Sequence, residues 1–290
     1  MNKLKIESKK ETFEFIFDKC KILIGDNYRK KYEIVNSIKC FFNKVLKTEN
    51  SVVKNYKNSM YLNENFLETK QFYFFEIEPY FEFSNDLRLG TKSLFLKYLE
   101  AVFDGIEFHD EISNVNRLLD IFVKEFFEGE RSFDDLTMNV DIQLINNKSL
   151  SKMLELRFLK ECFIISELDL TYEDRILLQL EAVNRISTLT KEKQCFLIVD
   201  VPLLTEKIYK KIGELEKGIS IVLVDFIEKS NFLNVDEVYL LDKNEIDLYN
   251  EEELFEIQMN YERNISIDQL KKDLYFKCNR FITNYYNIDD

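Results

Sequence analysis

The stretch Cys20–Phe42, CKILIGDNYRKKYEIVNSIKCFF, decides the fold of this chain. Its apolar beginning predicts a buried strand, and Gly25 predicts a turn. The following residues predict a helix that opens with the basic triplet Arg29, Lys30 and Lys31. A strand, a glycine turn and a helix in this order are the layout of a phosphate-binding loop.

The chemical groups of a working phosphate loop are incomplete in this stretch. Such a loop places Gly, Lys and Ser or Thr five, six and seven positions after its first Gly, so that backbone amides hold phosphate and the hydroxyl holds Mg²⁺. Here these positions are Lys30, Lys31 and Tyr32. The Lys is retained but the second Gly and the hydroxyl are absent, which weakens a nucleotide-hydrolysis interpretation. An ordinary strand-to-helix turn is the alternative.

A second incomplete motif lies nearer the other end of the chain. The run Gln194–Pro202, QCFLIVDVP, predicts a fully buried central strand that leads to Asp200, the usual position of a Mg²⁺-binding carboxylate. Hydrolytic ATPases of the chromosome-maintenance and transporter classes follow this Asp with a Glu that activates water, whereas Val201 follows it here. Two incomplete motifs in one α/β domain indicate an ATPase-like scaffold that is not used for hydrolysis. Its degenerate phosphate loop would comprise Gly25, Lys31 and Asp200.

Length and composition predict a globular protein of the cytoplasm. The chain has 290 residues, 46% of them hydrophobic, which is enough for a sizeable core. No segment reaches the roughly 18 apolar residues of a membrane-spanning helix, and the opening MNKLKIESKK lacks the apolar core of a signal peptide. We therefore expect no membrane partner. Five cysteines, odd in number and mostly within apolar runs, predict buried reduced thiols.

The charge is strongly acidic overall but locally basic near the start. A net charge of −13 argues against nucleic acid as a ligand, because phosphate contacts require Lys and Arg. Residues 1–46, however, contain eleven basic and six acidic side chains. This asymmetry predicts one basic and one acidic surface. Lysines on edge strands that oppose aggregation are the alternative.

The pattern of apolar residues predicts an α/β fold with an inserted helical region. Apolar residues at three- and four-residue steps predict helices in Leu150–Ser166 and Arg175–Leu189. These helices would form a leg inserted into an ATPase-like head, and further helices follow the head. The predicted domains are an α/β head of residues 1–90 and 191–245, a helical leg of residues 91–190, and a C-terminal helical extension of residues 246–290.

An acidic segment, SELDLTYEDRILLQL at Ser166–Leu180, is a candidate metal site. It holds four carboxylates within eight residues: Glu167, Asp169, Glu173 and Asp174. Hard oxygen donors without His or Cys suit Ca²⁺ better than Zn²⁺, although the glycine and ligand ladder of an EF-hand are missing. The alternative is structural, because Thr171 and Asp174 have the spacing of a helix capping box.

Three stretches together resemble one known family. They are ILIGDNYRKKYEIVNSIKCFF, ECFIISELDLTYEDRILLQL and CFLIVDVPLLTEKIYKKIGELEKGISIVLVD. The family is the ring-forming spacer-acquisition protein of type II-A CRISPR systems. The opening stretch is most similar to the longer subtypes, in which a Gly-Asn turn and a Lys precede an aromatic-rich helix. The segment ELDLTYED is similar to the family's acidic calcium-binding motif, whereas residues 47–147 match only in helical character.

The resemblance implies a non-catalytic protein that binds the ends of linear double-stranded DNA. It implies a homotetrameric ring with a basic central hole, built from heads related to degenerate phosphate-loop ATPases and from helical legs, with Ca²⁺ between these parts. The expected partners are the two general CRISPR integration proteins and the RNA-guided effector nuclease. By motif match, the four carboxylates named above become calcium-ligand candidates.

The charge pattern supplies the candidates for DNA contact. They are Arg29, Lys30 and Lys31, with Lys191 and Lys193 before the central strand as second choices. The chain also continues beyond VYLLD at Val238–Asp242 into apolar helices that the shorter family members lack. These helices predict packing against the protein's own core or a subunit interface.

Two other functions remain open from the sequence. An atypical nucleotide hydrolase would use Lys31 to bind phosphate and Asp200 to hold Mg²⁺. A protein-interaction subunit would instead dock through its acidic surface and would not bind DNA. His109 is the only histidine, so His-based triads and His-rich metal sites are set aside, whereas a nuclease that uses only carboxylates stays open.

Overall fold

The computed structural model describes residues 2–8, 11–43, 58–105, 109–127, 132–133, 136–137, 144–190, 192–260 and 265–278. The chain divides into two compact units. Unit 1 comprises Met1–Phe81 and Thr171–Asp290, and unit 2 comprises Glu82–Leu170. In the described ranges, no helix combines the length and the apolar character needed to cross a membrane.

The strands are β1 (Asn2–Glu7), β2 (Thr12–Phe17), β3 (Cys20–Ile24), β4 (Ser59–Leu62), β5 (Asn65–Phe66), β6 (Phe72–Ile77), β7 (Ser132–Phe133), β8 (Leu136–Thr137), β9 (Leu159–Lys160), β10 (Phe163–Ile164), β11 (Gln194–Leu204), β12 (Gly218–Ile227), β13 (Val238–Leu241) and β14 (Glu245–Asp247). The α-helices are α1 (Tyr28–Asn43), α2 (Phe83–Asp86), α3 (Leu94–Phe103), α4 (His109–Phe127), α5 (Asn147–Lys152), α6 (Tyr172–Leu189), α7 (Glu206–Gly213), α8 (Glu251–Met259) and α9 (Ile267–Lys277). Single 3₁₀ turns span Thr69–Gln71, Glu167–Asp169 and Val235–Glu237.

The main sheet of unit 1 has six strands in the order β14-β13-β3-β12-β11-β6. All neighbours pair in parallel except β14, which is antiparallel to β13. Every residue of β3 is buried, and so is the stretch Cys195–Val199 of β11. Strands covered on both faces favour apolar side chains along their whole length, which explains the apolar runs in the sequence. The predicted α/β fold is confirmed.

A second, antiparallel sheet in unit 1 has the order β2-β1-β4-β5. Burial alternates along β1 and β2, as expected for strands with one covered face. Helix α1 contributes Ile34, Ile38 and Phe41 at helical spacing to an apolar core that also contains Leu4 of β1 and Ile221 of β12. Helix α1 therefore shares its core with both sheets, and this packing fixes the position of the turn that precedes it.

Unit 1 also contains a fully buried ion pair. Lys21 Nζ donates to the carbonyl oxygens of Ile16 and Asp236 and to the Asp247 carboxylate, at 2.9, 3.2 and 2.5 Å. Asp247 is buried as well and accepts backbone N–H bonds from Ile16 and Tyr249. Burial lowers the pKa of Lys21, although the charge of Asp247 opposes this effect. The pair connects the central strand β3 to β2 and to β14.

Unit 2 combines helices of 4 to 19 residues with two small antiparallel strand pairs, β7-β8 and β9-β10. Helix α3 has Ser93 as its N-cap, whose side chain accepts the N–H of Leu96. The Asp86 carboxylate accepts the backbone N–H groups of Leu94 and Phe95, each at 2.9 Å. Two side chains thus satisfy three of the N–H groups that the first turn of a helix leaves open.

The prediction of a helix over Leu150–Ser166 is wrong. Helix α5 ends at Lys152, and the chain then forms the β9-β10 hairpin. Its turn residues Glu161 and Cys162 have φ angles of +50° and +69°, as a tight two-residue hairpin turn requires. Short apolar runs do not distinguish a helix from strands by spacing alone.

The domain boundaries also differ from the predicted ones. Unit 2 begins at Glu82 and ends at Leu170, so α6 lies in unit 1 with the sheets and not in a helical leg. Helices α8 and α9, predicted as a separate extension, also belong to unit 1. The cysteines are all free thiols, but only Cys20 and Cys195 are buried, and Cys162 is exposed.

Candidate functional site

The turn Gly25–Asn27, which we call the phosphate-loop turn, follows β3 and is crowded by the end of β13. Gly25 has a φ angle of +140°, a conformation that residues with a side chain rarely adopt. A Cβ atom at this position would lie 2.3 Å from the carbonyl oxygen of Leu241. Glycine is therefore required here both by the backbone conformation and by the close approach of β13.

The backbone amides of the phosphate-loop turn are bonded to the protein itself. Asp26 N donates to Oδ1 of Asp242 at 2.9 Å, and Asn27 N donates to the carbonyl oxygen of Leu241 at 2.9 Å. The Asn27 side chain accepts the N–H of Lys30 at 3.2 Å. In a working phosphate loop such amides face the bound anion. Here a carboxylate, a carbonyl group and an amide side chain of the chain take that place.

The side chain of Lys31 is directed into the protein, onto β12. Its side chain is only 7% exposed. The Nζ atom donates to the carbonyl oxygen of Val224 at 2.6 Å and to Oδ1 of Asp225 at 3.0 Å. It also lies 5.2 Å from the ring centroid of Tyr28. These contacts tie α1 to β12, which is the neighbour of β3 in the main sheet.

Asp200 lies toward the same end of the parallel strands as the phosphate-loop turn. Ile24, the last residue of β3, pairs with Val224, which in turn pairs with Val201. Partial desolvation and the charge of Asp225 raise the pKa of Asp200, against the lowering effect of two lysines. Val201, at the position of the water-activating Glu, is buried. The structure thus brings Gly25, Lys31 and Asp200 to the same end of the parallel strands. Groups of the protein itself bind the donors that would hold a phosphate there.

The basic triplet of α1 is largely engaged with carboxylates. Arg29 is the most accessible, with 80% of its side chain exposed, and its Nε donates to Glu33 at 3.2 Å. Lys30 is 22% exposed and pairs with Glu11 and Glu245. Desolvation lowers the pKa of Lys30, but its hydrogen bonds to these two carboxylates outweigh this effect and raise it. Only Arg29 of the triplet faces solvent freely enough to contact a polyanion.

Of the two second-choice lysines for DNA contact, the structure describes one. Lys193 is half-buried, and its Nζ lies 4.6 Å from the ring centroid of Tyr73, within cation–π distance. Lys191 lies outside the described residues.

Two of the predicted calcium ligands form helix caps. Asp174 accepts the backbone N–H of Thr171 at 3.1 Å, and Asp174 N donates to the Thr171 hydroxyl, so the predicted capping box is confirmed. Ser166 and Asp169 form an equivalent box one turn earlier in the chain. The hydrogen bonds from Ser166 hold the pKa of Asp169 below its usual value. The structural alternative therefore accounts for both aspartates.

The two glutamates also have protein partners. Glu173 accepts hydrogen bonds from Lys207 Nζ at 2.7 Å and from the Thr205 hydroxyl at 2.6 Å. These bonds, the one from Lys207 first, lower the pKa of Glu173. Glu167 Oε2 accepts the backbone N–H of Ser84 at 3.3 Å.

Within each unit, the predicted calcium ligands are bonded to other groups of the protein. Glu167 and Asp169 belong to unit 2, whereas Glu173 and Asp174 belong to unit 1. Across the part of the chain that the structure describes, no group of three or more His, Cys, Asp or Glu is placed to hold a metal ion. The donors suit Ca²⁺ by type. Their oxygens, however, already accept hydrogen bonds from backbone, hydroxyl and ammonium groups.

Sequence reasoning missed the two carboxylates that close the phosphate loop. Each follows an apolar stretch of a parallel strand: Asp225 comes after SIVLV, two residues before the end of β12, and Asp242 comes directly after VYLL of β13. This is the signal that identified Asp200. Applied to every buried strand, the same signal would have placed three aspartates at one edge of the sheet, because carboxyl ends of parallel strands meet there.

Comparison with known proteins gives a structural neighbour only. No protein-family model matches the chain, and no curated protein sequence matches it. The crystal structure of Stu0660 of Streptococcus thermophilus is similar, with a TM-score of 0.65 over 90% of this chain and 81% of that chain. The two sequences are 14% identical. The likeness therefore shows a shared α/β fold.

Proposed function

We propose that the chain is a non-catalytic protein that binds the ends of double-stranded DNA and acts as a homotetrameric ring in CRISPR spacer acquisition. The observation that carries the non-catalytic part is the closed phosphate loop. The backbone N–H groups of Asp26 and Asn27 donate hydrogen bonds to residues at the end of β13. The ammonium group of Lys31 donates to β12. A nucleotide would have to displace all three sets of contacts.

The geometry argues against hydrolysis at two further points. Tyr32 stands at the position of the Mg²⁺-binding hydroxyl and is 69% exposed. Val201 stands at the position of the water-activating Glu and is buried. The metal-binding hydroxyl and the general base are thus both missing from their required places. The atypical nucleotide hydrolase is therefore the weakest of the candidate functions.

DNA binding rests on the sequence resemblance and on those of the predicted basic residues that are accessible. With a net charge of −13, the protein can attract phosphates only through a locally basic surface. Arg29 and Lys193 remain candidates for contact. Lys30 and Lys31 are withdrawn from that role, because one is shared between two carboxylates and the other is buried.

The remaining parts of the proposal come from the resemblance alone. They are the ring of four copies, the dependence on Ca²⁺, and partnership with the CRISPR integration proteins and the RNA-guided effector nuclease. Calcium is a variable of the experiment, because Asp169 and Asp174 act as caps, Glu173 is in an ion pair and Glu167 accepts a backbone N–H.

A mobility-shift experiment tests the proposal. Linear and covalently closed circular duplexes of equal length are compared, each with Ca²⁺ and with a chelator. We expect binding to the linear form only, because a closed ring loads from DNA ends. Binding that is unaffected by the chelator would remove calcium from the proposal and keep end binding. Equal binding to both forms would contradict threading.

The second candidate is a protein-interaction subunit that does not bind DNA. It is favoured by the pairing of the basic residues of α1 with Glu11, Glu33 and Glu245, which leaves the surface acidic. Absence of binding to either DNA form at low salt, where electrostatic attraction is strongest, would select this function.

A further inference from the structure

We infer that Tyr28 and Tyr32 of α1 form a stacking surface for unpaired bases at the end of a DNA duplex, with Arg29 beside them as the contact for a phosphate. The inference rests on the proposed DNA-end binding and goes further by naming the preferred end, a single-stranded overhang. Binding of ends and preference for an overhang are measured in one series, and their failures are distinguishable.

Two tyrosines lie on the exposed side of α1. Tyr28 is 57% exposed and Tyr32 is 69% exposed. They are four residues apart in the helix, so their side chains are neighbours on one face. The buried face is a different one and contains Ile34, Ile38 and Phe41. The two rings therefore do not belong to the apolar stripe through which α1 packs on the sheets.

The ring of Tyr28 is held in place by the protein. Lys31 Nζ lies over this ring, 5.2 Å from its centroid, and is itself bonded to the carbonyl oxygen of Val224 and to Asp225. A cation over an aromatic face attracts the ring. The ring is thus positioned before a ligand arrives, while more than half of the residue stays open to solvent. A positioned ring loses little conformational freedom when a base stacks on it.

Arg29 supplies the positive charge that a nucleic acid requires. Its side chain is 80% exposed and bonds to Glu33, four residues later in the helix. Such surface pairs contribute little to stability, so the guanidinium group can turn to a phosphate at little cost. Aromatic rings beside a cation are the arrangement on which proteins stack single-stranded bases. The surface therefore suits a ligand that combines bases with phosphates.

The ligand must present bases that are not covered by their neighbours. Inside a duplex, each base is stacked between two others and offers no face to a side chain. A blunt end exposes only the outer face of its last base pair, whereas an overhang exposes several bases in succession. Because two rings follow each other along one helix face, an overhang can use both of them.

The experiment compares three variants with the wild-type protein. Tyr28→Leu combined with Tyr32→Leu removes both rings, and Tyr28→Phe combined with Tyr32→Phe keeps them. Tyr80→Leu is the matched control, because Tyr80 is 85% exposed and belongs to the same unit. Fluorescence anisotropy at constant salt gives the affinity for linear duplexes with blunt ends, with a short overhang, and with the same overhang made abasic. The abasic overhang keeps the phosphates and removes the bases.

We expect the wild type and the double Phe variant to bind the overhang about tenfold more tightly than the blunt or abasic ends. The double Leu variant should lose this preference and still bind blunt ends, because Arg29 remains. Tyr80→Leu should behave as the wild type.

The inference is overturned if the preference for the overhang persists in the folded double Leu variant, or if Tyr80→Leu loses it equally. Equal affinity of the wild type for all three duplexes overturns the inference and leaves end binding in place, whereas no binding to any of them overturns both. If the double Leu variant does not fold by circular dichroism, the comparison of intact with abasic overhangs in the wild type decides.

Discussion

At the scale of the residue, Glu173 tests whether a predicted calcium ligand acts instead as a partner in an ion pair. Its carboxylate is bonded to Lys207 and Thr205, which lowers its pKa. A lowered pKa means that the unfolded chain binds the proton more tightly. The ion pair therefore stabilises the fold above the unfolded pKa of about 4.3, and this contribution is lost as the pH falls through the folded pKa.

Glu173→Gln should accordingly lower the melting temperature at pH 7 and lower it by less near pH 3, which is about one unit below the unfolded pKa. Thermal unfolding at both pH values, in the presence of a chelator, measures this. Glu173→Gln combined with Lys207→Met should cost little more than the single change. An equal loss at both pH values would show that packing, and not the charge, is responsible.

At the scale of the element, helix α3 depends on a cap that comes from outside the helix. Asp86 accepts two first-turn amides and also the Ser93 hydroxyl at 2.9 Å. Asp86→Ala should destabilise unit 2 by about 1–2 kcal/mol, as loss of an N-cap residue does. Denaturant unfolding checks the value. Asp110→Ala, at an exposed first-turn position of α4, is the control and should cost less.

The elements show how far sequence reasoning reaches. The buried parallel strands were predictable because Cys20–Ile24 and Cys195–Val199 are apolar at nearly every position, and only a strand covered on both faces requires this. The hairpin at Leu159–Ile164 was not, because its turn is made by Glu161 and Cys162 rather than by Gly or Asn.

The candidate site follows the same division. Gly25 and Asp200 could be placed at the sheet edge from local patterns. The partners could not, because Asp26 and Asp242 are 216 positions apart and Lys31 and Asp225 are 194 apart. Which carboxylate meets which donor depends on strand order, and no local pattern in the sequence specifies that order.

At the scale of the whole molecule, DNA binding should depend on few cations. Arg29→Glu and Lys193→Glu should each weaken binding and reduce the slope of log affinity against log salt by about one for every phosphate that is no longer neutralised. Binding is measured by fluorescence anisotropy across a salt series. Lys31→Met should lower stability and leave the slope unchanged, because Lys31 is buried. The reverse pattern would place DNA at the phosphate-loop turn.

The buried pair of Lys21 and Asp247 has a consequence for the modularity of the chain. Lys21 lies in β3, near the start of the chain, and its counter-ion Asp247 lies 226 positions later. A chain cut before Asp247 would keep a buried cation without its counter-ion, at a cost of about 3–5 kcal/mol. Whole domains are stable by only about 5–15 kcal/mol. The segment that contains Asp247 is thus required for the stability of unit 1. If unit 1 is transferred to another protein, this segment must be included.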